Sequence, residues 1–113
     1  MSLKKSYIDY IQDMIDEIDN ISFFLQNITF DEFVNDKKTY YASIRSLEII
    51  GEACKKIPFN IIEKYSKIPW ISIQSMRNKL AHEYFGVDLE TVWLTIKEDL
   101  KELNQALIEI INS

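Results

Sequence analysis

Glycine, proline and cysteine are nearly missing from this chain: two, two and one among 113 residues. An all-β meander needs a turn roughly every eight to twelve residues, so punctuation this sparse excludes one. The same scarcity, with 47% apolar residues, excludes collagen-like, low-complexity and disordered classes. A lone cysteine, Cys54, cannot close an internal disulfide, which removes the stapled secreted scaffolds and makes the cytoplasm the expected location. No apolar run reaches the roughly eighteen residues of a spanning helix, and the opening stretch Met1 to Ser6 has no apolar core like that of a signal peptide. Positive charge is short as well. With 13 basic against 18 acidic residues the formal charge is −5, which disfavours coating of nucleic acid by bulk electrostatics. Any work on nucleic acid must come from a local site.

What is present is helical periodicity. From about Ser6 to Ile28 the residues Ile8, Ile11, Ile15, Ile18, Ile21 and Leu25 fall at steps of three and four, with Asp9, Asp13, Asp16, Glu17 and Asp19 between them. The acids read as a solvated helix face. Thr29-Phe30-Asp31-Glu32 has the form of a capping box, so a short helical turn follows, and Asn35-Asp36 reads as a break and a second N-cap. Lys37 to Ile57 is apolar nearly all round, as expected of a central helix or one covered by a partner on a second side. Gly51 inside it costs about 1 kcal/mol of helix propensity relative to Ala, which points to a close backbone approach. Cys54 reads as a small buried apolar group.

Pro58 ends that helix, and Phe59 to Tyr65 forms one short helical piece. Pro69 suits the first turn of a third major helix with Ile73, Met76, Leu80 and Ala81 facing inward. Gly86 is placed to end it in a left-handed turn, and Asp88 to cap a last helix over about Leu89 to Ile111. Trp70 and Trp93 sit in apolar helical patterns and belong to the core or an interface. The expected architecture is a single domain over residues 1–113, all-α, an antiparallel four-helix bundle with short extra helical turns. Helix two is too apolar for a comfortable monomer, so a dimer is expected.

One stretch departs from bundle logic. Met76-Arg77-Asn78-Lys79-Leu80-Ala81-His82-Glu83-Tyr84-Phe85-Gly86 holds the sole histidine, one of two arginines and a local positive cluster. A neutral imidazole exchanges protons near pH 7 and a guanidinium holds a phosphate through parallel hydrogen bonds, so the pair suits phosphodiester chemistry. At about 100° and about 1.5 Å per residue, Arg77 and His82 stand about 140° apart around the axis and about 7.5 Å along it. They do not meet on one face, though they could flank one phosphate or pair with symmetry mates across a two-fold interface. Tyr84 returns to the face of Arg77 if the helix runs that far. The same spacing also fits a His82 that caps a helix C-terminus and an Arg77 in a surface ion pair.

Arg77-Asn78-Lys79-Leu80-Ala81-His82-Glu83-Tyr84 resembles the signature of the HEPN superfamily, an Arg, a polar residue and a His four to six positions on; the Tyr two residues later resembles the HepT-like toxins. Leu47-Glu48-Ile49-Ile50-Gly51-Glu52-Ala53, Ile68-Pro69-Trp70 and Gly86-Val87-Asp88 through Val92-Trp93 are similar to that family in the same order, with Ser75 where a Gly is expected. The resemblance implies a metal-independent endoribonuclease, the toxin of a toxin–antitoxin pair, on a dimer with both motifs in one interface cleft. It implies that Arg77 stabilises charge on the scissile phosphate and that Asn78 orients the phosphate or His82. His82 serves as general acid or base while the RNA 2′-hydroxyl attacks. Tyr84 is implied to take AMP from a minimal nucleotidyltransferase antitoxin.

No cofactor is expected. One His, one Cys and no carboxylate–His pair at ligand spacing leave no zinc site within one chain. Two other functions stay open: a non-catalytic module that docks on a nucleotidyltransferase, suggested by the acidic charge and the aromatic second helix, and a nucleotide-binding cleft. Lys37-Lys38, Lys55-Lys56, Lys64 and Lys67 could steer RNA toward the cleft or be ordinary solvated lysines.

Overall fold

A computed structural model describes residues 6–82 and 88–113, with only the helical backbone described for 79–82. The helices are α1 (Tyr7–Phe24), α2 (Phe30–Asn35), α3 (Lys37–Cys54), α4 (Phe59–Lys64), α5 (Trp70–His82), α6 (Leu89–Leu94) and α7 (Leu100–Asn112), with a π-helical turn over Thr95–Asp99 joining the last two. No strand occurs among the described residues. No described helix is long and apolar enough to cross a membrane.

The starts and stops follow side-chain chemistry. Thr29 and Glu32 form the expected capping box, the Thr29 N–H donating to Glu32 Oε1 at 3.1 Å and the Glu32 N–H to Thr29 Oγ1 at 3.2 Å. Asp36 caps α3 by accepting from the Thr39 N–H at 3.3 Å and the Thr39 hydroxyl at 2.6 Å. Asp88 caps α6, accepting from the Glu90 N–H at 3.0 Å. Helix α1 stops at Phe24, before the expected Ile28, because Asn27 takes a left-handed φ of 61° and turns the chain. Likewise α3 stops at Cys54 rather than Ile57, and the Lys56 and Ile57 N–H groups donate instead to the carbonyls three residues back, Ala53 and Cys54. The expected single last helix is helical throughout but carries the π turn at its middle. Gly86 and its expected left-handed turn lie outside the described residues.

Helix α3 is central, packed on α1 along one side and on α5 along another, while α7 closes against α1. That double contact answers its apolar composition without a partner chain. Ile44, Leu47, Ile50, Ala53 and Cys54 are buried from it, in one core with Ile11, Met14, Ile18 and Ile21 of α1 and Leu103, Leu107 and Ile110 of α7. Trp70 is buried at the head of α5 with its indole N–H donating to the Tyr65 carbonyl at 3.1 Å. Trp93 is half-buried in an aromatic cluster, its ring 5.2 Å from Phe33 and 5.8 Å from Phe30. Both tryptophans are therefore structural. Between α5 and α7 a cavity of about 380 Å³ remains, lined by Ile50, Ile68, Ile73, Met76, Leu100 and Leu103.

Candidate functional site

The site is built where α3 and α5 touch. Gly51 lies on α3 against Arg77 of α5 so closely that a Cβ at position 51 would overlap the Cβ of Arg77 and stand 2.7 Å from its Cγ and 3.3 Å from its Cα. This is the close approach that a glycine inside an apolar helix predicts. The root of the arginine is thus seated on bare backbone, and its side chain, 28% exposed, is directed along a fixed path.

Among the described residues Glu52 and Asn78 reach its guanidinium. Glu52, next to Gly51, places Oε1 at 3.7 Å from Arg77 Nη2 and at 3.4 Å from Arg45 Nη1, and Arg45 also reaches Glu48 at 3.2 Å. Asn78 turns its amide oxygen toward two cations: Lys55 Nζ donates to it at 3.0 Å and Arg77 Nη1 at 3.4 Å. Arg77 Nε is buried and has no acceptor among the described residues. A strip of charged and polar side chains, Arg45, Glu48 and Glu52 on α3, then Arg77, Asn78 and Lys55, runs along the α3–α5 seam.

Of the residues singled out in the sequence, Arg77 and Asn78 are brought together on one rim. His82 is the last residue of the same helix, with its side chain outside the described residues, and Tyr84 lies outside them entirely. Glu52 carries no expectation of a role in the site, and Lys55 only that of one among several lysines that could steer RNA toward the cleft. Their signal was available only in part: Glu52 follows the anomalous glycine, and Lys55 lies one helical turn beyond it.

Cys54 sits beside this network without joining its chemistry. Its thiol is directed to the Trp70 carbonyl at 3.5 Å, and burial pushes its pKa up to about 11 against a smaller lowering effect from Gln74. It is a neutral packing group near pH 7, as its place in an apolar helix implies. Among the described residues no three His, Cys, Asp or Glu side chains come together to hold a metal.

Comparison with known proteins bears on the chain as a whole. The family described as "Ribonuclease HepT-like" matches residues 11–110. A protein named probable ribonuclease HepT from Thermococcus cleftensis is 46% identical over 101 residues, covering 89% of this chain and 92% of its own. A putative RNase of Methanocaldococcus jannaschii is 44% identical over 108 residues, covering 96% and 89%. One of Caldanaerobacter subterraneus is 42% identical over 102 residues, covering 90% and 91%. No solved structure matches. With a family match spanning most of the chain and relatives this similar over nearly their full length, the chain belongs to the ribonuclease HepT-like family.

Proposed function

We propose that this protein is a metal-independent endoribonuclease that cleaves RNA through its 2′-hydroxyl. The observation that carries the reading is the seating of Arg77 on Gly51, five positions before the only histidine of the chain on the same helix, in a member of a family of ribonucleases. In the reaction the 2′-oxygen forms a bond to the adjacent phosphorus and the bond from phosphorus to the 5′-oxygen breaks. The 2′-hydroxyl proton passes to a base, and a proton is given to the departing 5′-oxygen. The products are a 2′,3′-cyclic phosphate and a 5′-hydroxyl end. Arg77 bears the negative charge that gathers on the non-bridging oxygens, and His82 moves one of the protons. Asn78, within reach of the guanidinium, orients the phosphate or the imidazole.

The net charge of −5 requires that positive groups be concentrated locally. A two-fold dimer that faces two copies of Arg77 and Lys79 across one cleft meets that requirement, and His82 then comes near the arginine of either copy. Neutralisation follows from the same surface. Tyr84 stands about 20° around the axis from Arg77 if helical geometry continues past His82, so AMP attached there by a nucleotidyltransferase antitoxin places a bulky anion beside the guanidinium and displaces RNA.

Single-stranded RNA and DNA of one sequence, incubated in EDTA with the purified chain, separate this reading from others. The RNA is expected to be cut and the DNA left whole, because only RNA carries the attacking hydroxyl. Equal cutting of both, or of neither, counts against it. Intact mass after incubation with the antitoxin and ATP tests Tyr84: an AMP adduct is expected in the parent and none in Tyr84→Phe.

A further inference from the structure

We propose that Lys55 is a second phosphate-binding residue, forming with Arg77 a two-cation clamp across the α3–α5 seam for which the Asn78 amide oxygen acts as a neutral placeholder. The inference rests on the ribonuclease reading and names a residue that neither the motif nor the family match assigns. Its basis is the convergence of two cationic donors from two different helices on one oxygen, Lys55 Nζ at 3.0 Å and Arg77 Nη1 at 3.4 Å from Asn78 Oδ1. An uncharged amide oxygen is a weak partner for two cations. Hydrogen bonds between a cation and an anionic oxygen are roughly twice as strong as neutral ones, so a phosphate oxygen entering at this point replaces the amide with a net gain.

The surroundings favour that exchange. The nearby acids are already engaged, Glu48 with Arg45, and Glu52 with both Arg45 and Arg77. Among the described residues Lys55 donates to an uncharged side chain, so an incoming anion meets its ammonium without displacing a described carboxylate, while at Arg77 it competes with Glu52. The backbone of Lys55 is tied to the same turn that seats Arg77. It caps the C-terminus of α3, and its N–H donates at 3.3 Å to the carbonyl of Gly51, the residue on which Arg77 is seated. One turn of α3 therefore supplies both the seat of the arginine and the second cation.

Steady-state cleavage of a labelled single-stranded oligoribonucleotide in EDTA tests this with the full chain. Lys55→Ala is expected to lower kcat/KM by about tenfold or more and to reduce the slope of log kcat/KM against log salt by about 0.7, one phosphate contact on a single strand. Lys55→Arg is expected to retain most of the activity. Lys101→Ala, which removes the same charge from an exposed position on α7, serves as the control and is expected to match the parent. The clamp is overturned if Lys55→Ala stays within about twofold of the parent, or if Lys101→Ala falls as far as Lys55→Ala. A parent that cuts, loses activity in His82→Ala and is indifferent to Lys55→Ala overturns the clamp alone. A parent that cuts no RNA, or cuts equally well without Arg77 and His82, overturns both.

Discussion

Gly51 and Arg77 occupy each other's space: the hydrogen where a side chain would begin on α3 is all that fits against the first two side-chain carbons of the arginine on α5. The site is therefore not a surface decoration on a finished bundle. It is set at the contact of α3 with α5, so a change there is felt in the packing of the two helices.

Gly51→Ala separates this contact from ordinary helix propensity. At an exposed helical position the change would stabilise by about 1 kcal/mol. Here the added methyl meets the Cβ and Cγ of Arg77, close to backbone that has little room to shift, and overpacking of this kind costs about 1–3 kcal/mol. A lowered melting temperature by circular dichroism is expected, with RNA cleavage reduced at temperatures where the variant is still folded. A raised melting temperature would show that the helices part easily.

Cys54 is expected to resist alkylation. With its thiol buried and its pKa pushed up to about 11, almost no thiolate exists between pH 7 and pH 9. Iodoacetamide in native buffer should leave the mass unchanged over hours and add one adduct once the chain is unfolded in urea. Cys54→Ser should retain cleavage. Rapid native labelling would mean that the α3–α5 seam opens readily.

Asp36 gives a pH signature at the start of α3. Hydrogen bonds from the Thr39 hydroxyl and N–H hold its carboxyl below the usual carboxylate value, helped by the charge of Lys38. The folded value is depressed, so the stabilisation is complete above the unfolded value near pH 4 and is lost as pH falls through the folded one. Asp36→Asn keeps a capping side chain without the titration. The difference in melting temperature between parent and variant should be constant from pH 6 to pH 8 and shrink below about pH 4. A constant difference down to pH 2 would remove Asp36 from the acid limb.

The division into helices was legible because it is written in local chemistry. Thr29 with Glu32, Asp36, Pro58, Pro69 and Asp88 each act on their own backbone neighbours, and each is where a helix starts or ends. The π turn was not legible, because Val92, Ile96, Leu100 and Leu103 keep their order on the core face whether the hydrogen bonds run to the fourth or the fifth residue. The left-handed Asn27 was hidden for a similar reason: Leu25 beyond the end of α1 is still buried, so the apolar stripe outlasts the helix. In the site, Arg77 and Asn78 could be found from one helix. Gly51 and Lys55 each carry a signal of their own, but that they and Glu52 meet this pair follows only from the packing of α3 on α5.

The most direct test of the ribonuclease reading is the rate of RNA cleavage by parent, Arg77→Ala and His82→Ala side by side in EDTA, with the ends of the products identified. Loss of an electrostatic or proton-transfer group costs about a hundredfold or more, so both variants should fall at least that far while the parent leaves 2′,3′-cyclic phosphate and 5′-hydroxyl ends. Cleavage by His82→Ala at the parental rate, or cleavage by the parent only when a divalent metal is supplied, would contradict it.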